Sequence, residues 1–345
     1  MPEILSTKSL YYNDVSLVSR LPGEIESRKN VPLEKERIIS APMTSLVGKE
    51  FIIEAAKNGI SVTIPRFLTK EQKVELYNLF YEKKNSKQLC FIGIGLNEDL
   101  GDLIYIKSKI PPAQSNWLID IAFAGIPQLD KNILDFSSLF PNPYYTFNLM
   151  IGNIMSGNEL RRVSKFQYNN CEQLFIRVGI SGGIACSTSD VTGFGRGQIT
   201  EQIECFNVKK EVTASRSVIN QVADGGIKNS GYASKAFAAG SDYIMLGSYF
   251  SNALEAETNI KGNHEYWGLA SEKQIKDSKL NKSHSEGKIN KIDKTKLKPL
   301  KELIDELWGG ICSAVSYSGY RSLSEFIGNG VFEIKQNSLP PKTRF

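Results

Sequence analysis

Residues 179–198 read GISGGIACSTSDVTGFGRGQ, a run of glycines and small hydroxyl residues that places one cysteine, Cys186, just beyond an apolar stretch. A thiolate is the strongest nucleophile a protein readily supplies near neutral pH, so this thiol is a candidate for covalent catalysis. Two further clusters, Ala223-Asp224-Gly225-Gly226 and Gly247-Ser248, each follow an apolar run. Glycines at such positions let backbone N–H groups approach an anion closely. Taken singly, each feature has a plain structural reading: a lone cysteine as an inert buried residue, a DGG as a turn. At three successive strand ends they point together to a phosphorylated ligand and a covalent step.

Composition narrows the chemistry. The 345 residues are 41% hydrophobic and 23% charged, which are ordinary globular proportions. The net charge of +5 comes from 42 basic against 37 acidic residues, and much of the excess lies in the lysine-rich stretch after Glu272. That is too weak and too local for a nucleic-acid footprint. No signal segment opens the chain and no apolar run approaches the roughly 20 residues that span a bilayer, so neither membrane nor secretion is expected and a cytoplasmic protein is. Five cysteines without CxxC spacing and only two histidines, His264 and His284, argue against a disulfide framework, a histidine-built metal site and a histidine-based triad.

The elements that must position these groups follow from apolar spacing. Eight short β-branched-rich runs occur at 38–43, 59–66, 89–95, 117–125, 144–153, 174–180, 217–226 and 242–248. Several are apolar on successive residues, as strands covered on both faces of a parallel sheet require. Helical patterns fall between them at 49–58, 71–84, 97–109, 157–166, 201–211 and 229–239, with Gly59 and Gly240 placed as helix stops. Repeated βα units predict an α/β fold, a (β/α)8 TIM barrel with an N-terminal extension and extra loops. A doubly wound open sheet is the alternative, weakened because TSLVGKE, not GxGxxG, follows the first run. In a barrel the active site lies at the C-terminal strand ends, where Cys186, the DGG and Gly247 all fall, and the loops after strands 7 and 8 commonly hold phosphate. The lysine-rich stretch at 273–300 reads as a solvated, mobile loop.

These motifs resemble the IMP dehydrogenase and GMP reductase family along nearly the whole chain. DVSL, SAPMTSLV at 40–47, DIA at 120–122, IGN at 151–153, the cysteine loop, ADGG with KAFAAGSDYIMLGS, YWGLASE at 266–272, SEGK at 285–288 and GGICSAVSYSG at 309–319 carry the likeness. The resemblance implies one catalytic domain over residues 1–345, with a mobile flap at about 265–300. It implies Cys186 as the nucleophile at C2 of a purine monophosphate and Asp224 as the ribose ligand, with Gly225, Gly226, Gly247 and Ser248 around the phosphate. Ser40 and Met43 would line the nucleotide site, Gly268, Leu269 and Ala270 the base, and Asp120, Gly152 and Asn153 the nicotinamide side. Backbone at Gly182, Gly183 and Cys186 would hold a monovalent cation, K+ in relatives. The 309–319 segment resembles one that completes a neighbouring subunit's cofactor site, so a homotetramer is expected.

Two branches of the family run opposite chemistry. IMP dehydrogenases usually carry regulatory domains inserted after the second strand, yet here the third run begins within 30 residues of Ile64. They also use an Arg-Tyr pair in the flap to activate water, and residues 268–286 contain neither residue type. The reductive branch resembles this chain in having Cys-x-Thr, here Cys186-Ser187-Thr188, and a flap glutamate, here Glu286. A carboxyl relayed through a hydroxyl could supply the proton that departing ammonia needs. The expected function is therefore NADPH-dependent reductive deamination of GMP to IMP. An IMP dehydrogenase without its insert and a catalytically silent nucleotide-binding protein are the alternatives. Three departures, Met43-Thr44-Ser45 for Met-Asp-Thr, Ser283 for an arginine and a shortened 268–287 loop, fall on the base side and leave the purine open between GMP and a modified relative.

Overall fold

A computed structural model describes residues 8–19, 22–23, 25, 27–85, 87–111, 115–140, 146–165, 170–180, 182, 188–212, 218–268, 271 and 287–335. Eight parallel strands and the helices after them alternate along the chain: β1 (Ile38–Ser40), α1 (Lys49–Lys57), β2 (Val62–Ile64), α2 (Lys70–Lys83), β3 (Cys90–Ile94), α3 (Leu100–Lys109), β4 (Ser115–Asp120), α4 (Gln128–Ser138), β5 (Phe147–Ile154), α5 (Gly157–Ser164), β6 (Cys171–Val178), α6 (Gln198–Val212), β7 (Val218–Asp224), α7 (Ser230–Ala238), β8 (Tyr243–Leu246) and α8 (Leu300–Tyr317). The strands pair in sequence order, and β8 pairs with β1. Ile39 bridges Ser61, and the Ser40 amide donates to the Ser61 carbonyl at 3.1 Å, which closes the ring between β1 and β2. The fold is the expected (β/α)8 barrel, and the open-sheet alternative is set aside.

The runs form strands because both faces are covered. Ile38, Ile39, Val62, Ile64, Phe91, Ile92, Trp117, Leu118, Phe175 and Ile176 are all fully buried. Phe91 and Phe175 meet edge to face with centroids 5.0 Å apart inside the ring, a geometry aromatic quadrupoles favour. The N-terminal end of the barrel is closed by side-chain amides: Asn148 donates to Asn116 at 2.7 Å and Asn220 to Gln173 at 2.9 Å. The helices begin on polar caps. Thr69 and Gln72 form a capping box on α2, Ser156 and Glu159 another on α5, and Asn229 caps α7, each satisfying amides that a helix start leaves bare. Gly59 and Gly240, with φ of 87° and 111°, end α1 and α7 as expected.

Three elements differ from the reading of the sequence. Helix α4 was not anticipated between the fourth and fifth runs. The stretch expected as loop at 273–300 is structured at its end: Ile289–Lys291 pairs antiparallel with Glu265–Trp267, and α8 starts at Leu300. The third is a ribbon in which Val15–Leu17 pairs antiparallel with Phe332–Ile334, drawing the N-terminal extension and the segment after α8 together outside the barrel. Among the described residues no helix is long and apolar enough to cross a membrane.

Candidate active site

The C-terminal rim of the barrel is organised around one buried cation. Arg177, in β6, is the charged residue of an otherwise apolar strand core and is 5% exposed. It donates through Nη1 to Asp120 Oδ1 at 2.6 Å and through Nη2 to Asp224 Oδ2 at 2.8 Å. Burial opposes its charge, but the Asp224 and Asp120 carboxylates outweigh that and push its pKa further up. Register explains the reach. Asp120 in β4 sits opposite Gly152 in β5, and Gly152 opposite Arg177 in β6. A Cβ on Gly152 would collide with the Cβ and backbone of Arg177, so glycine there allows β5 and β6 to approach closely at the level of the guanidinium. Arg66, beyond β2, donates to the Asp120 carbonyl at 2.5 Å.

Asp224 is thereby held from two sides. Its Oδ2 accepts from Asn153 Nδ2 at 2.9 Å as well as from Arg177. No hydrogen bond reaches Oδ1 among the described residues. Gly225 and Gly226 follow with φ of 96° and 77°, a turn that L side chains resist. Asn153 spends its amide N–H groups on Asp224 and on the Gly179 carbonyl, at 2.9 and 2.6 Å, which leaves its Oδ1 as an acceptor.

The remaining expected residues separate into four groups. Met43 lies with its sulfur against Gly247, and the Ala41 amide donates to Leu246 at 2.9 Å, so the loops after β1 and β8 are adjacent. Ser248 opens the short turn beyond β8, where its carbonyl accepts from Ser251 at 2.7 Å, and Gly268 caps the flap ribbon by accepting from the Ser271 amide at 3.1 Å. Ser40 and Asp120 are placed at strand ends but fully buried and engaged by the protein, Ser40 with Thr63 across the β1–β2 seam and Asp120 with the two arginines. Cys186, Gly183, Leu269, Ala270 and Glu286 lie outside the described residues. Thr188 opens the short helix Thr188–Thr192 directly after the cysteine loop. Lys288 pairs with Asp190 at 2.7 Å, which brings the return of the flap, two residues past Glu286, beside that helix, two residues past Thr188.

Three contributors went unread in the sequence. Arg177 carries the clearest signal, since a lone cation within LFIRV must meet anions if the run is a covered strand. Gln198 and Glu201, the others, sit on the inner face of α6. Cys90, Cys171, Cys205 and Cys312 are free, and burial raises the pKa of each thiol, that of Cys171 to about 12. None of these four is poised as a nucleophile. No group of histidine, cysteine and acidic residues able to hold a metal occurs among the described residues, and of the backbone expected around K+ only Gly182 is described.

Asp224, held from two sides, and the glycine turn after it stand at the C-terminal rim, where (β/α)8 barrels carry their active sites. Residues 7–339 match the family model described as IMP dehydrogenase / GMP reductase domain, and the chain belongs to that family of oxidoreductases. It is similar to the GMP reductase of Lactobacillus acidophilus, 26% identical over 94% of each chain. It is similar to the GMP reductase of Caenorhabditis elegans, 22% identical over 96% of this chain and 93% of the relative. The inosine-5'-monophosphate dehydrogenase of Halalkalibacterium halodurans is 26% identical over 87% of this chain and 63% of its own length.

Proposed function

We propose that the protein is a GMP reductase, converting GMP to IMP and ammonia at the expense of NADPH through a covalent adduct on Cys186. The observation that carries the reductive direction is the Lys288–Asp190 contact, which sets the segment after Glu286 against the helix that Thr188 begins. The near end-to-end likeness to proteins named GMP reductase, against 63% coverage of the dehydrogenase, points the same way.

In this reading the Cys186 thiolate attacks C2 of the purine and forms the S–C2 bond. Glu286, through the Thr188 hydroxyl, delivers a proton to the exocyclic amine, the C2–N bond breaks, and ammonia leaves. Asp224 Oδ1 accepts from the ribose hydroxyls, while Gly225, Gly226, Gly247 and Ser248 surround the phosphate and Met43 borders the nucleotide. Gly268, Leu269 and Ala270 run along the base. The nicotinamide cofactor would supply hydride to C2, releasing the cysteine. Asn153 fits it through the free Oδ1 acceptor, with Gly152 beside it. Asp120 acts from behind by fixing Arg177. A monovalent cation on the backbone at Gly182, Gly183 and Cys186 would order the cysteine loop. A homotetramer in the cytoplasm is the expected setting, and free thiols at all four described cysteines fit a reducing compartment.

Following nicotinamide absorbance with GMP plus NADPH, and separately with IMP plus NAD, tests the assignment. Oxidation of NADPH dependent on GMP is expected. Turnover only with IMP and NAD would assign the dehydrogenase reaction, and turnover with neither would leave a binding protein. A panel of purine monophosphates fixes the base, and light scattering the assembly.

A further inference from the structure

The turn after β1 and the root of the flap ribbon are joined through two buried hydroxyl residues. The turn is built on the Met43 carbonyl, which accepts from the Leu46 and Val47 amides at 3.0 and 2.9 Å. Ser45 lies within it and Thr258 within the short helix Glu257–Ile260, and each is 1% exposed. Polar groups so placed are kept inside a fold by being paired. Thr258 pairs all three of its own. Its amide donates to the Ser45 carbonyl at 2.9 Å, its carbonyl accepts from the Asn263 and His264 amides at 2.9 and 3.3 Å, and its hydroxyl accepts from the Glu265 amide at 3.2 Å. Ser45 completes the junction, its hydroxyl accepting from the Trp267 amide at 3.5 Å. Amides two residues apart point to one edge of a strand, and the two hydroxyls take that edge of Glu265–Trp267.

The same short helix makes further ties. The Glu257 amide donates to the Leu46 carbonyl at 3.0 Å. Helix α1 starts at Gly48 without a side-chain cap of its own, and a Cβ on Gly48 would land on the Glu257 carboxylate. That carboxylate therefore lies at the positive end of α1, where a negative charge is favoured. On the other side the Ile292 amide donates to the His264 carbonyl at 2.8 Å, directly after the strand Ile289–Lys291 that pairs with Glu265–Trp267. Both strands of the ribbon are thus fixed to the turn after β1. Ser45 stands two residues beyond Met43, and Trp267 one residue before Gly268.

We propose that Ser45 and Thr258 are positioning residues for recognition of the base: through the Trp267 and Glu265 amides they set Gly268 at a fixed distance from Met43. The proposal rests on the reading in which Met43 borders the nucleotide and Gly268 begins the base side of a purine monophosphate site. Neither hydroxyl is a ligand in this account. They fix where the ribbon leaves the barrel, and so where Gly268 meets the base. The groups proposed for phosphate and ribose, Gly225, Gly226, Gly247, Ser248 and Asp224, follow other strands and take no bond from Ser45 or Thr258 among the described residues. Loosening the junction therefore weakens binding of the base and spares the sugar phosphate.

The test compares wild type with Ser45→Ala, Ser45→Thr, Thr258→Val and Thr258→Ser in two measurements. One is calorimetric affinity for GMP and, separately, for ribose 5-phosphate, which carries the sugar and phosphate without the base. The other is amide hydrogen exchange in the peptide spanning residues 265–268, with no ligand present. Ser45→Ala and Thr258→Val are each expected to weaken GMP binding by about 3- to 10-fold, the scale of one lost hydrogen bond. Both should leave ribose 5-phosphate binding unchanged and speed exchange in the peptide, as a loosened local anchor does. Ser45→Thr and Thr258→Ser keep the hydroxyls and should restore wild-type behaviour in both measurements. Unchanged GMP affinity in Ser45→Ala and Thr258→Val overturns the proposal. Equal losses for GMP and ribose 5-phosphate overturn it as well, since they report damage to the whole site. Wild type that binds ribose 5-phosphate but no purine monophosphate removes Gly268 from a base site, and the proposal falls with it. The expected pattern of affinities with no turnover of GMP and NADPH by wild type overturns the proposed reaction and leaves the roles of Ser45 and Thr258 standing.

Discussion

The Asp224 carboxylate is held by one oxygen: Oδ2 takes Asn153 and Arg177, and no described residue bonds Oδ1. Replacing it by alanine removes the proposed ribose acceptor, and titration calorimetry with GMP should show affinity weakened by roughly 1–3 kcal/mol. Unchanged affinity would move ribose recognition elsewhere. Cys186→Ala should abolish turnover while GMP still binds, because the phosphate and ribose contacts proposed for it come from other loops; activity above a trace would remove the nucleophile assignment. Glu286→Gln separates the two steps. Steady-state GMP reduction should fall by about 10²–10⁴-fold, as for a lost general acid, while isotope exchange between labelled reduced cofactor and C2 of IMP survives, since hydride transfer needs no external proton. Equal losses would make Glu286 a positioner of the flap.

At the level of elements, the Asp120–Arg177–Asp224 chain ties β4, β6 and β7 together across the rim. Arg177→Met leaves two carboxylates without their cation, and chemical denaturation should show a loss of about 3–5 kcal/mol, the usual cost of breaking a buried ion pair from one side. A near-neutral result would mean that water already screens the rim. The strands were legible because covered parallel strands are written as unbroken apolar runs, as in LCFIGIG before the turn at Gly95. Helix α4 was not, although Leu129, Ile133 and Phe136 stand at helical spacing and are buried, because no Ser, Thr, Asp or Asn precedes Gln128 to announce its start. The ribbon strand Val15–Leu17 is only three residues long, and its partner lies at the far end of the chain, beyond any local pattern. Asp224, Asn153 and the glycines were legible as motif positions. The direction in which Asp120 and Ser40 face was not, because a strand-end residue can point to the site or into the seam, and only the register decides.

For the molecule as a whole, Glu201 links stability to pH. Its carboxyl sits at about 9 in the fold against an ordinary 4.5, so the folded chain keeps a proton that the unfolded chain releases. The contribution of this group is therefore fully present below about pH 4.5, is lost progressively as pH rises toward 9, and then levels off. Thermal unfolding without substrate should show the Tm of Glu201→Gln gaining on wild type across that interval; a constant difference would mean that the carboxyl ionises normally. The ribbon of Val15–Leu17 with Phe332–Ile334 bears on a different matter, the order in which the molecule is made. On the ribosome the barrel strands can pair as they emerge, each with the one before it, but Val15–Leu17 must wait for Phe332–Ile334, which follows all eight of them. Until then the segment around Tyr12 rests on α6 and α7: the Ile199 amide donates to the Leu10 carbonyl at 3.0 Å, the Leu10 amide to the Thr200 hydroxyl at 2.8 Å, and Lys235 to the Tyr12 carbonyl at 2.9 Å. All eight barrel strands and α8 are therefore made before the ribbon can close, with the N-terminal arm already seated on α6 and α7.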